Sequence, residues 1–158
     1  MIKLEKITYE NYDRCIMLQV SEDQKSFVAP NNISLIHAYI ALSEGDMIPM
    51  PYAIYNDDEI VGFIMLAFCK PDPKEADGKE AYCIWRFMID EKHQRKGYGR
   101  QAISTALDLI RTFPYGQASN VTLYFEPENV NAEKLYKSFG FIQTGKIMDG
   151  EMELSLTL

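Results

Sequence analysis

The stretch from 84 to 112 constrains this chain most, because there a strand must hand over to a helix through two glycines. Ile84-Trp85-Arg86-Phe87-Met88-Ile89-Asp90 is apolar and rich in β-formers, which suits a buried strand. A basic connector, Glu91 to Lys96, leads into Gly97-Tyr98-Gly99. Beyond it Ala102, Ile103, Ala106, Leu107 and Ile110 recur at the spacing of one helical face. Glycine lets a backbone turn tightly and approach a ligand closely. The first amides of a helix lack internal partners and sit at the positive end of its dipole, a place that suits phosphate. Arg95, Lys96 and Arg100 add positive charge around it. Taken alone, the two glycines also fit a plain strand–helix turn with solvated basic neighbours.

The remaining elements follow from periodicity. Residues 2–8 alternate as a modest first strand. Tyr12, Cys15, Ile16, Gln19 and Val20 keep helical spacing over 11–20, and Ser21-Glu22-Asp23-Gln24 breaks it. A second helix presents Leu35, Ala38, Tyr39 and Leu42 on one face and ends at Gly45. Residues 52–55 and 60–68, joined by Asn56-Asp57-Asp58-Glu59, form a hairpin. Residues 71–79 are a polar, mobile connection. Val121, Leu123 and Phe125 alternate in a fifth strand over 120–125. A last helix spans 130–139, ended by Gly140, and 142–158 gives two strands around Asp149-Gly150. The pattern is one α+β domain over 1–158, with a mainly antiparallel sheet.

Composition removes several classes. With 47% hydrophobic residues the chain has a core to bury, so disorder is excluded. A net charge of −7 argues against a nucleic-acid partner, which needs basic surface. An acidic chain with one basic spot suits an anionic cofactor and a cationic substrate. Cys15, Cys69 and Cys83 are scattered, as in a reduced cytosolic protein, and His37 and His93 have no metal-ligand spacing, so no metal is expected. No apolar run is long enough for a signal peptide or a membrane span.

A second motif is Asn129-Val130-Asn131-Ala132-Glu133-Lys134-Leu135-Tyr136, followed by Phe139-Gly140-Phe141. By itself it needs only a capping Asn, a core Tyr and a helix-ending Gly. Together with Gln94-Arg95-Lys96-Gly97-Tyr98-Gly99, however, it resembles the GNAT superfamily of acetyl-CoA-dependent N-acetyltransferases. That family carries Gln/Arg-x-x-Gly-x-Gly/Ala after a strand and Asn-x-x-Ala-x-x-x-Tyr on a later helix. The resemblance covers nearly the whole chain. It implies the GNAT acyl-CoA N-acyltransferase fold, with about seven strands flanked by about four helices. It also implies acetyl-CoA as co-substrate, a cytoplasmic enzyme, and a homodimer as a family-level expectation.

Carried onto these positions, the resemblance implies that the backbone of Phe87, Met88 and Ile89 meets the pantetheine arm. The amides from Gln94 through Arg95, Lys96, Gly97, Tyr98 and Gly99 to Arg100 would meet the phosphates. Asn129 would bond the pantetheine, and Tyr136 would protonate the departing thiolate. Relatives that act on polyamines carry an acid two positions before the Phe87 equivalent; here that residue is Trp85, which suits an apolar or cation–π wall for the amine. The base is then open among Glu22, Asp23, Glu80 and Glu126, with Glu126 favoured because it ends a strand close to the last helix. Val20-Ser21, Glu22 and Gln24 fall where the family lines its acceptor groove. Within the family the chain looks most like the bacterial diamine and spermine/spermidine N-acetyltransferases. Aminoglycosides, amino acids and protein N-termini are rival acceptors, and a non-catalytic acyl-CoA or polyamine sensor is a further alternative. Gly97-x-Gly99-x-x-Ala102 also fits a weak dinucleotide fingerprint, but only one β-α-β unit is present.

Overall fold

A computed structural model describes residues 1–71 and 78–158. Strands are β1 (Ile2–Lys6), β2 (Met47–Asn56), β3 (Glu59–Cys69), β4 (Ala81–Ile89), β5 (Asn120–Phe125), β6 (Ile142–Met148) and β7 (Glu151–Thr157). Helices are α1 (Tyr12–Ile16), α2 (Asn31–Glu44), α3 (Tyr98–Ile110) and α4 (Val130–Lys137), with 3-10 turns at Glu22–Gln24 and Glu91–His93. The strands form one sheet in the order β1-β2-β3-β4-β5-β7-β6. Among the described residues, only β4 and β5 run parallel. The α+β reading and the mainly antiparallel sheet are therefore observed, and the single β-α-β unit is β4-α3-β5. The expected mobile connection at 71–79 falls mostly outside the described residues.

Two buried clusters sandwich the sheet. On one face Tyr82, Ile84, Leu66 and Leu123 meet Ala102, Ile103, Ala106, Leu107 and Ile110 of α3, the helical face read from the sequence. On the other, Phe63, Met65 and Met88 meet Cys15 of α1 and Ala38 of α2. Here the second helix departs from expectation. Its buried residues are Asn31, Ser34, Ala38 and Ala41, while Tyr39 and Leu42 are exposed. Small side chains let α2 lie close on β2; Leu35 packs partly buried against the core as expected, while Tyr39 and Leu42 point outward. The first helix is a short turn, and β2 starts earlier than the expected hairpin strand, running through Pro49 and Pro51.

Two irregularities shape the middle of the sheet. Met65 pairs with Arg86 and Leu66 with Ile84, so Trp85 is an extra residue, a β-bulge in β4. On the other side, β4 pairs with β5 only at Tyr82–Val121 and Cys83–Thr122. Beyond Cys83 the two strands part, and among the described residues no strand lies beside the β5-facing backbone edge of β4.

Candidate active site

The parting of β4 and β5 opens a cavity of ≈ 910 Å³. Ile84, Trp85, Arg86 and Phe87 of β4 form one wall, and Thr122 to Phe125 of β5 form another. Asn129, Ala132 and Tyr136 come from α4 and its cap, Glu151, Glu153 and Ser155 from β7. Tyr136 is 6% exposed and its ring meets Phe141 edge-on at 5.8 Å. A phenol is protonated at neutral pH, and burial lifts the pKa of this one further above the usual range. It makes no hydrogen bond to any described residue. A buried, protonated phenol lining a cavity is suited to donate a proton there. Asn129 caps α4, its Oδ1 accepting from the Ala132 amide at 3.3 Å, as the sequence predicts.

The glycine loop lies beside this cavity without lining it. Gly97 caps α3 with φ 80°, and Arg95 two residues earlier has φ 61°, both left-handed. Left-handed residues curl the chain so that successive amides face inward, the arrangement of anion nests. Gly99 stands against β4 and α4: a Cβ there would meet Phe87 Cζ at 3.5 Å and Leu135 Cδ2 at 3.9 Å. Arg95 and Lys96 are exposed. Two polar side chains of this loop are already engaged. Gln94 donates to the Ile89 carbonyl at 2.9 Å, and Arg100 donates to Ser138 Oγ at 2.7 Å and lies over the Phe139 ring.

Of the predicted site residues and base candidates, the cavity thus gathers Glu80, Trp85, Phe87, Asn129 and Tyr136. Met88 and Ile89 are buried in the sheet. Glu22 is exposed and ion-paired with Lys25, and Glu126 is half-buried beside the cavity rather than on its wall. Trp85 stacks on His37 with ring centroids 6.3 Å apart, and the Arg86 guanidinium lies 5.3 Å from its ring.

The sequence did not single out Arg86, Glu151 or Glu153. Burial pulls the Arg86 guanidinium below its usual range while Glu151 pulls it back. Glu153 accepts from the Tyr124 and Thr144 hydroxyls, each at 2.7 Å. Burial and the neighbouring Glu126 lift the Glu151 carboxyl above its ordinary range, against the pull of Arg86. The signal that could have found the acids is a period of two: Glu151, Glu153 and Ser155 share one face of β7.

Residues 10–141 match the profile of the acetyltransferase (GNAT) family. The chain belongs to the GNAT family. Among curated relatives of this GNAT protein is the spermine/spermidine N(1)-acetyltransferase of Bacillus subtilis strain 168, 25% identical over 154 residues, covering 92% of this chain and 91% of that one. Solved structures share the fold. The spermidine N-acetyltransferase from Vibrio cholerae, in complex with CoA and spermine, has TM-score 0.69 at 15% identity, covering 99% of this chain and 95% of that one. Aminoglycoside acetyltransferase AAC(6')-Ib with CoA and kanamycin has TM-score 0.75 at 16% identity, covering 99% and 95%. Among the described residues, no helix of this GNAT protein is long and apolar enough to cross a membrane, and no group of three metal-ligating side chains occurs.

Proposed function

We propose that this chain transfers the acetyl group of acetyl-CoA to a primary amine of a polyamine or diamine such as spermidine or spermine, by direct attack in a ternary complex. The observation that carries the reading is the cavity itself, where the open edge of β4 faces a buried, protonated Tyr136. In this reading the backbone of Phe87, Met88 and Ile89 takes the pantetheine as an added strand. The amides of Gln94 to Arg100 take the phosphates, with Arg95 and Lys96 as counter-charge. Asn129 holds the pantetheine, and one amide of the β4 run steadies the oxyanion of the tetrahedral intermediate. Tyr136 protonates the thiolate. Trp85 walls the amine, and Glu22 adds negative charge at the groove's front. The names of the curated relatives favour a polyamine acceptor. A cytoplasmic homodimer is the setting that goes with this reading.

Arg86, half-buried on the cavity wall without an ion pair to any described residue, favours a second acceptor class, an amine that also carries a carboxylate. One experiment covers both: CoA release measured with spermidine, spermine, diamines and free amino acids, the products weighed by mass spectrometry. Acetylated polyamine is the expected product. No turnover with any polyamine or diamine would end the polyamine assignment, and acetylated amino acid would put the second class in its place.

A further inference from the structure

An amine acceptor arrives protonated, since its pKa is roughly 10, and must lose a proton before its nitrogen can attack. The acids near the cavity separate on geometry. Glu22 is exposed and held by Lys25. Glu80 lines the cavity but is exposed just before β4, six residues before Arg86, which is roughly 20 Å along an extended chain. Glu126 does not line the cavity. Glu153 does, but both its oxygens accept hydroxyl protons, from Tyr124 and Thr144. Asp90 is buried and accepts from the amides of Gln19 and Lys92, at 3.0 Å each. Glu151 lines the cavity, is half-buried, feels the charge of Arg86, and its carboxylate makes no hydrogen bond or salt bridge to any described residue.

We infer that Glu151 is the general base that takes the proton from the acceptor ammonium. The inference deepens the amine-transfer reading and rests on it. Glu151 takes one proton from the R–NH3⁺ group, directly or through a water. The freed nitrogen pair attacks the thioester carbon and forms the C–N bond. The tetrahedral oxyanion collapses, the C–S bond breaks, and the thiolate takes the Tyr136 proton. The second nitrogen proton returns to the Tyr136 oxygen, and Glu151 releases its proton to solvent. The sum is R–NH3⁺ plus acetyl-CoA giving the amide, CoA and one proton. The groups facing Glu151 are Arg86 on β4, Glu126 at the end of β5 and Asp149 in the β6–β7 turn. Tyr136 of α4, Tyr124 of β5, Lys146 of β6 and Glu153 of β7 line the same cavity. Burial and two carboxylates raise the proton affinity of Glu151 above that of a free carboxylate, against the pull of Arg86, and a stronger base takes the ammonium proton more readily.

The test compares wild type, Glu151→Gln and Glu151→Asp on an acceptor the wild type acetylates, from pH 6 to 10, with acetyl-CoA affinity measured alongside. The inference expects Glu151→Gln to bind acetyl-CoA as wild type does and to lose about a hundredfold in kcat at pH 7. The deficit should shrink as pH nears 10, where the amine loses its proton in water, and Glu151→Asp should recover part of the rate. Wild-type kcat in Glu151→Gln, or a deficit that is the same at every pH, would overturn the base assignment and leave the transferase reading intact. Failure of the wild type to acetylate any amine would overturn that reading, and the base with it.

Discussion

The side-chain amides of Gln24 and Gln94 hold each other, Gln94 Nε2 donating to Gln24 Oε1 at 2.7 Å and Gln24 Nε2 donating back at 3.3 Å. Gln24 ends the 3-10 turn that precedes Lys25 to Pro30 on the cavity wall, and Gln94 opens the glycine loop. One contact thus ties the front of the cavity to the helix that follows it. Replacing Gln24 with Ala leaves Gln94 its bond to Ile89. The expected cost is about 1 kcal/mol, a fall of roughly 2–4 °C in Tm, measured by calorimetry. The loosened wall should raise the acceptor KM more than the acetyl-CoA Kd. Equal changes in both would mean that the contact orders nothing beyond the loop.

Removing only the hydroxyl of Tyr136 keeps the ring on Phe141. Tyr136→Phe should lower kcat about a hundredfold and leave acetyl-CoA affinity nearly unchanged. The low end of the range is expected because a CoA thiol, with a pKa of about 8.5 like cysteine, is already a fair leaving group. A stable variant with wild-type kcat, measured where chemistry limits turnover, would take Tyr136 out of the mechanism.

At Gly97 the backbone conformation, not crowding, requires glycine, since φ is 80° and a Cβ would have only Gln101 Nε2 nearby, at 3.9 Å. Gly97→Ala should therefore cost about 1 kcal/mol of stability and little affinity. Gly97→Asp adds a carboxylate among amides assigned to phosphate and should sharply weaken acetyl-CoA binding. Calorimetric titration of a folded Gly97→Asp protein giving the wild-type Kd would refute the phosphate-loop role.

Gly62 is the opposite case, ordinary in φ but crowded. A Cβ there would meet the Met88 carbonyl oxygen at 2.5 Å and Ile89 Cδ1 at 2.9 Å. Gly62→Ala should push β3 from β4 where the Phe87–Ile89 backbone is set, costing about 1–3 kcal/mol. Denaturant unfolding measures it; an unchanged midpoint would show that β4 yields freely.

Cys15 gives an alkaline signature. Burial pushes its thiol up to about 12, whereas an unfolded thiol ionises near 9. Because the folded value is the higher one, the stability it confers is complete below pH 9 and is lost as pH rises toward 12. The slope should approach about 1.4 kcal/mol per pH unit from this group. Cys15→Ala should unfold more easily at pH 7 yet lose less stability between pH 9 and 10; an unchanged slope would show that Cys15 does not titrate in that window.

The framework was legible because its signals are local. The α3 stripe, the β5 alternation, the Asn129 cap and the Asp149-Gly150 hairpin each lie within a dozen residues, and each stands where the spacing placed it. What the sequence hid depends on neighbours. Plain alternation puts Trp85 and Phe87 on one face. The bulge sends Phe87 to the α3 side and Trp85 to the α1–α2 side. No residue type announces such a bulge. The exposure of Tyr39 and Leu42 depends likewise on how close the small face of α2 comes to β2. Glu151 was invisible as a candidate because its meaning rests on Arg86 and Glu126, both far away in sequence.

The two-pair junction of β4 and β5 also bears on how the chain folds. Every other ladder of the sheet is antiparallel, and most join strands adjacent in sequence. The meander β1 to β4 and the unit formed by β5, β7 and β6 can therefore assemble separately. Their only strand pairing among the described residues is parallel and must wait for α3 to cross over, a non-local closure of the slow kind. It follows that this seam is the last ladder to zip in folding and the first to part in partial unfolding, so its amides should exchange with solvent before those of β3.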